Sequence, residues 1–333
     1  MSRAAVLTGI GAMVPPREVG NDAFAERLAT SDEWIRTRTG IRKRHMVDPG
    51  TSTSDLAVEA GQRALKSAGR DQVDLVVLAT ATPDYPLPGT APDVASRLGL
   101  DHVPAFDVAA VCAGFVYALA TAAGTIGAGL TDRVLVIGAE AFSTILDPTD
   151  RGTAILFGDG AGAVVLERGP ADAPGALLGF DLGSDGSMAD LIMIPGGGSR
   201  QRSGGAPPDA DRAWFTMQGR EVFGQAATRM AESTRTLLKT IDWPVESVDR
   251  FVGHQANVRI LHAVSDLIGL PRERAVVHLD QVGNTSAASI PLALAHAAAT
   301  GQLLPGHRVA MSAFGGGLAW GSAALVWPDV VPG

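Results

Sequence analysis

Uninterrupted apolar runs alternate with amphipathic stretches along this chain, and the two patterns predict different elements. The run Val73–Ala79 is apolar apart from Asp74, which is typical of a strand buried on both faces of a sheet. Thr53–Ala68 instead places Leu56, Ala60 and Ala64 on one face at helical spacing, which predicts an amphipathic helix. Strands that alternate with helices predict an α/β fold with a largely parallel sheet covered by helices.

The second half of the chain repeats the order of elements in the first half. The first half is predicted to contain a strand before Cys112 and the strands Val6–Ile10, Val73–Ala79, Arg133–Gly138 and Ala163–Glu167. The second half is predicted to contain the strands Asp249–Val252, Ala275–Leu279, Arg308–Ser312 and Ser322–Val326, with a helix over Ala287–Ala299. This repetition predicts two similar halves, residues 1–172 and 173–333. The polar, Gly- and Pro-rich stretch Ser199–Arg212 is predicted to be a surface loop.

Composition narrows the class of protein. The 333 residues are 46% hydrophobic and 19% charged, which is enough apolar material for a large core. The net charge of −8 argues against nucleic acid as a partner. No apolar stretch approaches the roughly 20 uninterrupted residues of a membrane span, and the N-terminal run is typical of a strand and turn rather than a signal peptide. A single cysteine excludes an internal disulfide, so we expect a reducing, cytoplasmic location and no membrane association.

That single cysteine, Cys112, lies where a predicted strand gives way to a helical run. The unpaired N–H groups and the dipole of a helix N-terminus favour an anion, so this position is predicted to lower the pKa of the thiol and to raise its reactivity. A lone cysteine can equally be a small buried apolar residue. The segment alone leaves both interpretations open.

Two turns of the second half occupy positions that correspond to the Cys112 turn. His254 follows one predicted strand, and Asn284 follows the next. Ligands of α/β sheets gather at the carboxyl ends of strands, so the three side chains converge if the two halves pack face to face. A thiol, an imidazole and a neutral amide together suit acyl transfer, in which the thiol is the nucleophile. The other six histidines are interpreted as structural or surface residues.

The densest basic cluster lies near the N-terminus. It consists of Arg36, Arg38, Arg42, Lys43 and Arg44. Such a run is usually a solvated face, but the neighbouring Trp34 makes a ligand-binding surface an alternative.

A series of motifs in order from end to end of the chain resembles the ketoacyl-acyl-carrier-protein synthase III family of thiolase-like condensing enzymes. The motifs are Thr30–Ile35 with Thr37–Ile41, Ala105–Ala110 with Cys112–Phe115, Asp147–Thr153, Phe157–Gly162, His254–Asn257, Gly283–Ser289 and Phe314–Gly317. The resemblance implies a thiolase-like fold, in which two similar βαβαβαββ halves pack as five layers, αβαβα. It also implies a homodimer.

The resemblance further implies a mechanism and a role for each matching residue. Cys112 would take an acyl group from a short-chain acyl-CoA, and His254 and Asn284 would stabilise the enolate left when malonyl-ACP loses carbon dioxide. The backbone N–H groups of Cys112 and Gly316 would form the oxyanion hole. The remaining expected roles are CoA binding by Trp34, Arg38 and Arg151, an acyl pocket bordered by Leu87 and Phe157, and docking of the acyl carrier protein at Arg259. No metal or redox cofactor is expected, since acyl-CoA is a substrate.

The chain departs from the family pattern at the expected carrier-protein surface. Asp266 and Leu267 stand at positions that are often lysine, Gly224 replaces another basic residue, and Arg220 stands where an asparagine is expected. Lost positive charge would weaken docking of an acidic carrier protein. The departures have two interpretations: ordinary drift within the family, or a specialised relative with an unusual partner or acyl acceptor. Two alternative functions also stay open: an enzyme that acylates Cys112 and passes the acyl group to a natural-product hydroxyl or amine, and a catalytically silent scaffold subunit.

Overall fold

The computed structural model describes residues 3–205, 207, 209 and 212–333. The strands are β1 Ala4–Met13, β2 Glu18–Gly20, β3 Lys43–His45, β4 Leu75–Ala79, β5 Ala105–Val108, β6 Arg133–Glu140, β7 Gly160–Gly169, β8 Leu177–Ser184, β9 Ile192–Met193, β10 Thr216–Met217, β11 Arg250–Gly253, β12 Arg308–Gly315 and β13 Ala319–Val326. The helices are α1 Asp22–Leu28, α2 Asp32–Thr39, α3 Thr53–Ala68, α4 Ala91–Arg97, α5 Gly114–Gly127, α6 Arg151–Ala154, α7 Ser199–Ser203, α8 Gly219–Thr240, α9 Val258–Ile268, α10 Leu279–Val282 and α11 Ser289–Ala299.

Two large sheets share one topology, as the repeated sequence pattern predicts. The first has the order β1-β7-β6-β4-β5, and the second has the order β11-β12-β13-β8. In each, a parallel pair is followed by two antiparallel neighbours, so β8, β13, β12 and β11 correspond to β1, β7, β6 and β4. Strand β8 and helix α8 complete the second half, and neither was among the elements predicted from the sequence. The proposed division after residue 172 falls in the connection between β7 and β8.

The core is layered around two central helices. One hydrophobic cluster joins α5 and α11 to the inward faces of both sheets. A second cluster packs α3 and α4 on the outer face of the first sheet, and a third packs α8 and α9 on the outer face of the second. The order α, β, α, β, α is therefore the five-layered thiolase-like arrangement expected.

Both central helices begin in the same way. A short 3-10 turn, Val111–Ala113, precedes α5, and another, Ser286–Ala288, precedes α11. The first residue of each turn is left-handed, with φ of 46° at Val111 and 47° at Ser286. Non-glycine residues rarely adopt this conformation, and it persists only where the surrounding structure holds it.

The second predicted strand of the second half is absent. Of Ala275–Leu279, only Ala275 forms a parallel bridge, to Phe251 in β11. Beyond Ala275, the buried side-chain amide of Gln255 pairs with the backbone: its oxygen accepts from the N–H groups of His278 (2.8 Å) and Leu279 (3.2 Å). A side chain thus satisfies backbone groups that a ladder would otherwise pair.

The structure also bears on the predicted surface loop and on the predicted lack of a membrane span. The predicted loop Ser199–Arg212 contains the short helix α7, and its residues 206, 208, 210 and 211 lie outside the described residues. Across the described ranges, no helix is long and apolar enough to cross a membrane.

Candidate active site

Cys112, His254 and Asn284 line one narrow cavity of about 40 Å³ between the two halves. All three side chains are almost completely buried. The rest of the wall is apolar, with aromatic rings from Phe142, Phe157 and others. The geometry therefore places a thiol, an imidazole and an amide around a space from which water is largely excluded, where electrostatic interactions are stronger than in bulk solvent.

Cys112 lies in the 3-10 turn that leads into α5. The end of β12 comes so close that a Cβ on Gly315 would lie 2.7 Å from the backbone nitrogen of Cys112. Only glycine fits there, and the following residue, Gly316, therefore lies beside the Cys112 turn. Its backbone and that of Cys112 are the two N–H sources expected for an oxyanion hole.

The pKa of the thiol differs from the expectation drawn from the sequence. Burial raises the pKa of Cys112 to about 12, and the negative charge of Glu140 adds to this effect. Burial is the largest cause, because it disfavours the charged thiolate relative to the neutral thiol. In the resting site Cys112 is therefore a neutral thiol that needs a proton acceptor before it can act as a nucleophile.

His254 follows β11 directly and is held by the first residue of α11. Its Nδ1 lies 2.6 Å from the hydroxyl oxygen of Ser289, which also accepts from the N–H of Gln255 at 3.4 Å. The single hydroxyl proton of Ser289 is then available to Nδ1, and we assign the ring proton to Nε2. Burial lowers the pKa of His254 to about 3, so the imidazole is neutral at physiological pH.

Asn284 is fixed through both its backbone and its side chain. Its N–H donates to the carbonyl of Leu156 (2.9 Å), and its carbonyl accepts from the N–H of Gly158 (3.0 Å). Its side-chain oxygen accepts from the N–H of Ser286 at 2.9 Å, which directs the amide NH₂ towards the cavity. His254 and Asn284 can thus both donate to one oxygen atom.

Three aromatic rings that pack on one another line the cavity. Phe142 and Phe157 are stacked with centroids 4.2 Å apart, and Phe215 meets both of them edge-on at 5.1 and 5.2 Å. The expected acyl-pocket residue Phe157 therefore lines the cavity. Leu87, the other residue expected there, is 86% exposed and does not line the cavity of its own chain.

The three residues expected to bind CoA lie together on the surface. The guanidinium groups of Arg38 and Arg151 both lie over the ring of Trp34, at 4.6 and 5.1 Å from its centroid. Ser31 caps α2 by accepting from the N–H of Trp34, which fixes the tryptophan in the first helical turn.

Arg44 belongs to a different environment from the rest of its basic cluster. It is completely buried, and burial lowers its pKa to about 10. Its guanidinium donates to the side chain of Asn21 and to the carbonyl of Ile155 and lies over the ring of Phe24. Arg44 is therefore not part of the ligand-binding surface that the basic cluster offers as an alternative. Instead, it holds the segment that leads to Phe157.

Arg259, the expected docking residue, is exposed in the first turn of α9. Its guanidinium lies 5.8 Å from the centroid of the Phe223 ring on α8. The next residue, Ile260, lines the cavity, so Arg259 lies on the surface close to the cavity wall. Nearby, Asp266 forms an ion pair with Arg272, and Leu267 is exposed.

Comparison with known proteins agrees with this arrangement. Residues 106–186 match the family described as 3-oxoacyl-[acyl-carrier-protein (ACP)] synthase III, and residues 238–327 match the C-terminal part of that family. The chain is 62% identical to beta-ketoacyl-[acyl-carrier-protein] synthase III 5 of Streptomyces coelicolor over 330 residues, which cover 99% of each chain.

The chain belongs to the beta-ketoacyl-[acyl-carrier-protein] synthase III family.

Solved structures of this synthase III family share the fold over the whole chain. The 3-oxoacyl-(acyl carrier protein) synthase III of Pseudomonas aeruginosa superimposes with a TM-score of 0.93 at 49% identity, covering 99% of this chain and all of the other. The priming beta-ketosynthase of the R1128 polyketide pathway superimposes with a TM-score of 0.90 at 34% identity, covering 98% and 97%.

Three residues around the reactive groups of this synthase III family member were not predicted. Ser289 holds His254, and Ser286 holds Asn284 and contacts the thiol of Cys112. Glu140 is a fully buried carboxylate behind Ser286. Both serines lie in the family motif Gly283–Ser289, so the sequence indicates that they lie close to Asn284. Glu140 lies outside every motif. Among the described residues, no group of three or more His, Cys, Asp or Glu could hold a metal ion.

Proposed function

We propose that this chain condenses a short-chain acyl-CoA with malonyl-ACP through an acyl-Cys112 intermediate, releasing carbon dioxide and giving 3-oxoacyl-ACP. The observation that carries this proposal is the convergence of Cys112, His254 and Asn284 on one apolar cavity. Such a product initiates fatty-acid or polyketide synthesis. The unpaired nucleophilic thiol suits a reducing compartment, and we place the enzyme in the cytoplasm.

In the first half-reaction, Cys112 attacks the thioester carbonyl of acyl-CoA. The bond between sulfur and the acyl carbon forms, and the CoA thiolate leaves. The negative charge that develops on the carbonyl oxygen would be stabilised by the backbone N–H groups of Cys112 and Gly316, and the close approach of Gly315 to the Cys112 turn supports this role. The aromatic end of the cavity, built from Phe142, Phe157 and Phe215, leaves room for a short acyl chain.

In the second half-reaction, His254 and Asn284 act on the thioester carbonyl of malonyl-ACP. Both donors are neutral and both are pre-oriented, His254 by Ser289 and Asn284 by the N–H of Ser286. When carbon dioxide leaves, they hold the enolate oxygen, and the carbanion attacks the acyl-Cys112 carbonyl. A buried carboxylate in place of Asn284 would repel that enolate.

We place the nucleotide end of CoA on Trp34. The adenine would stack with Trp34 and Arg151, and Arg38 would bind the phosphates, because planar guanidinium groups suit both contacts. We place the acyl carrier protein at Arg259 on α9, because this exposed cation would attract an acidic carrier protein. Arg272 adds no net charge there, since it is paired with the Asp266 that replaces an expected lysine.

We propose that the enzyme is a homodimer joined at β5. This strand is the edge of the first sheet, and Phe106 within it is 40% exposed. Tyr85 and Leu87 are exposed in the loop between β4 and α4. Exposed apolar residues at an unpaired sheet edge indicate a surface to which a second copy of the chain binds. Across such an interface, Leu87 would border the acyl pocket of the partner. A Phe106→Glu variant that still elutes as a dimer would contradict this interface.

The proposal is tested by acylation and by decarboxylation. Incubation with acetyl-CoA should add one acetyl group, about 42 Da, to the wild-type protein and nothing to Cys112→Ala. Mass spectrometry of the intact protein measures this difference. Undiminished acylation of the variant would refute the assignment of the nucleophile. Release of carbon dioxide from malonyl-ACP separates condensation from acyl transfer to a hydroxyl or amine, and any turnover excludes a silent scaffold.

A further inference from the structure

A buried carboxylate is connected to the Cys112 thiol through one hydroxyl group. Glu140 ends β6 with no exposed surface. The hydroxyl of Ser286 donates to Oε1 of Glu140 at 2.9 Å, and the thiol of Cys112 donates to the same hydroxyl oxygen at 3.6 Å. A proton that leaves Cys112 therefore has an acceptor in Ser286, whose own proton already points to Glu140.

The other side of the carboxylate is anchored by protein groups. Thr82 donates its hydroxyl to Oε2 at 2.7 Å, and the N–H of Ala81 is shared between Oε1 and Oε2, at 3.1 Å from each. These donors fix the carboxylate with Oε1 towards Ser286. Since Glu140 has no contact with solvent, Ser286 is the hydroxyl that connects it to the reacting sulfur.

The proton affinities of the neighbouring groups favour this direction of transfer. Burial raises the pKa of Glu140 to about 7, whereas burial lowers the pKa of His254 to about 3. A base is most effective when its pKa lies near the working pH, so the carboxylate is the better acceptor for a thiol of high pKa. His254, with its proton on Nε2, is better suited to donating a hydrogen bond.

We propose that Ser286 and Glu140 form a proton relay that takes the proton of Cys112 when the acyl-enzyme forms and returns it when the product leaves. This inference rests on the proposed function, because it requires an acyl-Cys112 intermediate. Ser286 touches the reacting sulfur, whereas Glu140 acts through Ser286 and holds the proton.

The relay closes the proton balance of both half-reactions. During acylation, the thiol proton moves to Ser286 as the serine proton moves to Glu140, and the sulfur electron pair forms the thioester bond. The departing CoA thiolate takes a proton from solvent. During condensation, the bond between Cys112 and the acyl carbon breaks, and the sulfur recovers its proton from Glu140 through Ser286. The cycle thus consumes one solvent proton, which ends on CoA.

Other charged groups around Glu140 have partners of their own or are neutral. On α3, Asp55 pairs with Arg97. Before β7, Asp159 accepts from Ser143 and from the N–H of Val47. The segments of β4, α5 and the Ser286–Ala288 turn that contact the strand end present no charged side chain within the described residues. His254 is neutral, so the thiol is the partner with which Glu140 exchanges a proton.

Single-turnover acylation by acetyl-CoA, followed by rapid quenching and intact-protein mass spectrometry from pH 5.5 to 9, tests the relay. The wild-type rate should rise with pH through about 7, because Glu140 must be ionised to accept the proton. Ser286→Ala and Glu140→Gln should lose this rise and react roughly 100-fold more slowly above pH 8. Glu140→Asp, which keeps the carboxylate, should retain the rise.

Thr82→Val is the matched control, because it removes a donor from Oε2 and leaves the path through Ser286 in place. Its rise should move to higher pH, since the carboxylate loses a hydrogen bond to its ionised form. A rise that persists unchanged in Glu140→Gln or Ser286→Ala overturns the relay, as does a uniform slowing at all pH values. If Glu140→Gln does not fold, Ser286→Ala decides. A wild-type protein that is not acylated at all would instead contradict the proposed function.

Discussion

The acyl-chain preference should depend on Phe215, and its replacement offers the sharpest test of the cavity. Phe215 meets the stacked pair Phe142 and Phe157 edge-on and closes the apolar end. Phe157 is a poorer target, because its neighbours Leu156 and Gly158 clamp the backbone of Asn284. Phe215→Ala removes the ring that limits chain length and leaves the groups that hold Asn284 unchanged.

The size of the effect follows from the space that the ring occupies. Removing a phenyl ring makes room for about four methylene groups, each worth about 0.8 kcal/mol when buried, or about 3 kcal/mol in total. Partial collapse of the site would reduce this to about half. The ratio of hexanoyl to acetyl transfer should therefore rise by roughly 10- to 200-fold.

The assay is a competition between acetyl-CoA and hexanoyl-CoA, read as the mass added at Cys112. Leu100→Ala is a matched control, because Leu100 is also buried but belongs to the cluster on the outer face of the first sheet, which contributes no residue to the cavity wall. It should lose stability without a change of preference. A folded Phe215→Ala protein with an acetyl preference within threefold of wild type would refute our account of the cavity.

Three further predictions concern other parts of the molecule. Ser289→Ala should slow carbon dioxide release from malonyl-ACP about tenfold and leave acylation nearly unchanged, because Nδ1 of His254 loses its partner; equal losses in both half-reactions would contradict it. Trp34→Ala should raise the KM for acetyl-CoA about tenfold but not that for acetyl-pantetheine, since only the former carries an adenine to stack. The pKa of Glu140 is about 7 in the folded protein, whereas an exposed glutamate, as in the unfolded chain, has a pKa of 4.5. Between these two pH values Glu140 is therefore protonated in the folded protein and ionised in the unfolded chain. Stability should therefore fall by about 3 kcal/mol as the pH rises through that window, and urea titrations of Glu140→Gln should show a smaller fall.

The sequence predicts the fold well wherever a regular pattern decides the structure. The helix predicted over Thr53–Ala68 has those bounds, because its apolar face and its Ser52 capping box are both local features. The strand predicted over Ala275–Leu279 is wrong, because the buried Gln255 amide satisfies the backbone there. A side-chain contact across 20 or so positions leaves no periodic signal in the strand itself.

The chemistry of the site is less accessible than its location. Strand ends and the repeat were sufficient to expect Cys112, His254 and Asn284 near one another. The thiol pKa was predicted in the wrong direction, because burial and the charge of Glu140 depend on long-range packing that the Cys112 segment does not encode. For the same reason Arg44 could not be separated from its solvated neighbours by sequence alone.

The repeat also explains why the site is asymmetric. The 3-10 turn before α5 meets the end of β12, and the turn before α11 meets the end of β6. At the first junction the strand ends in Gly315, where a Cβ atom would lie 2.7 Å from the backbone nitrogen of Cys112. At the second junction the corresponding residue is Glu140, whose carboxylate binds Ser286. One backbone geometry thus gives the sulfur two different neighbours, and this difference would suit the proposed reaction, in which the thiol first loses its proton and a carbonyl oxygen then becomes an oxyanion.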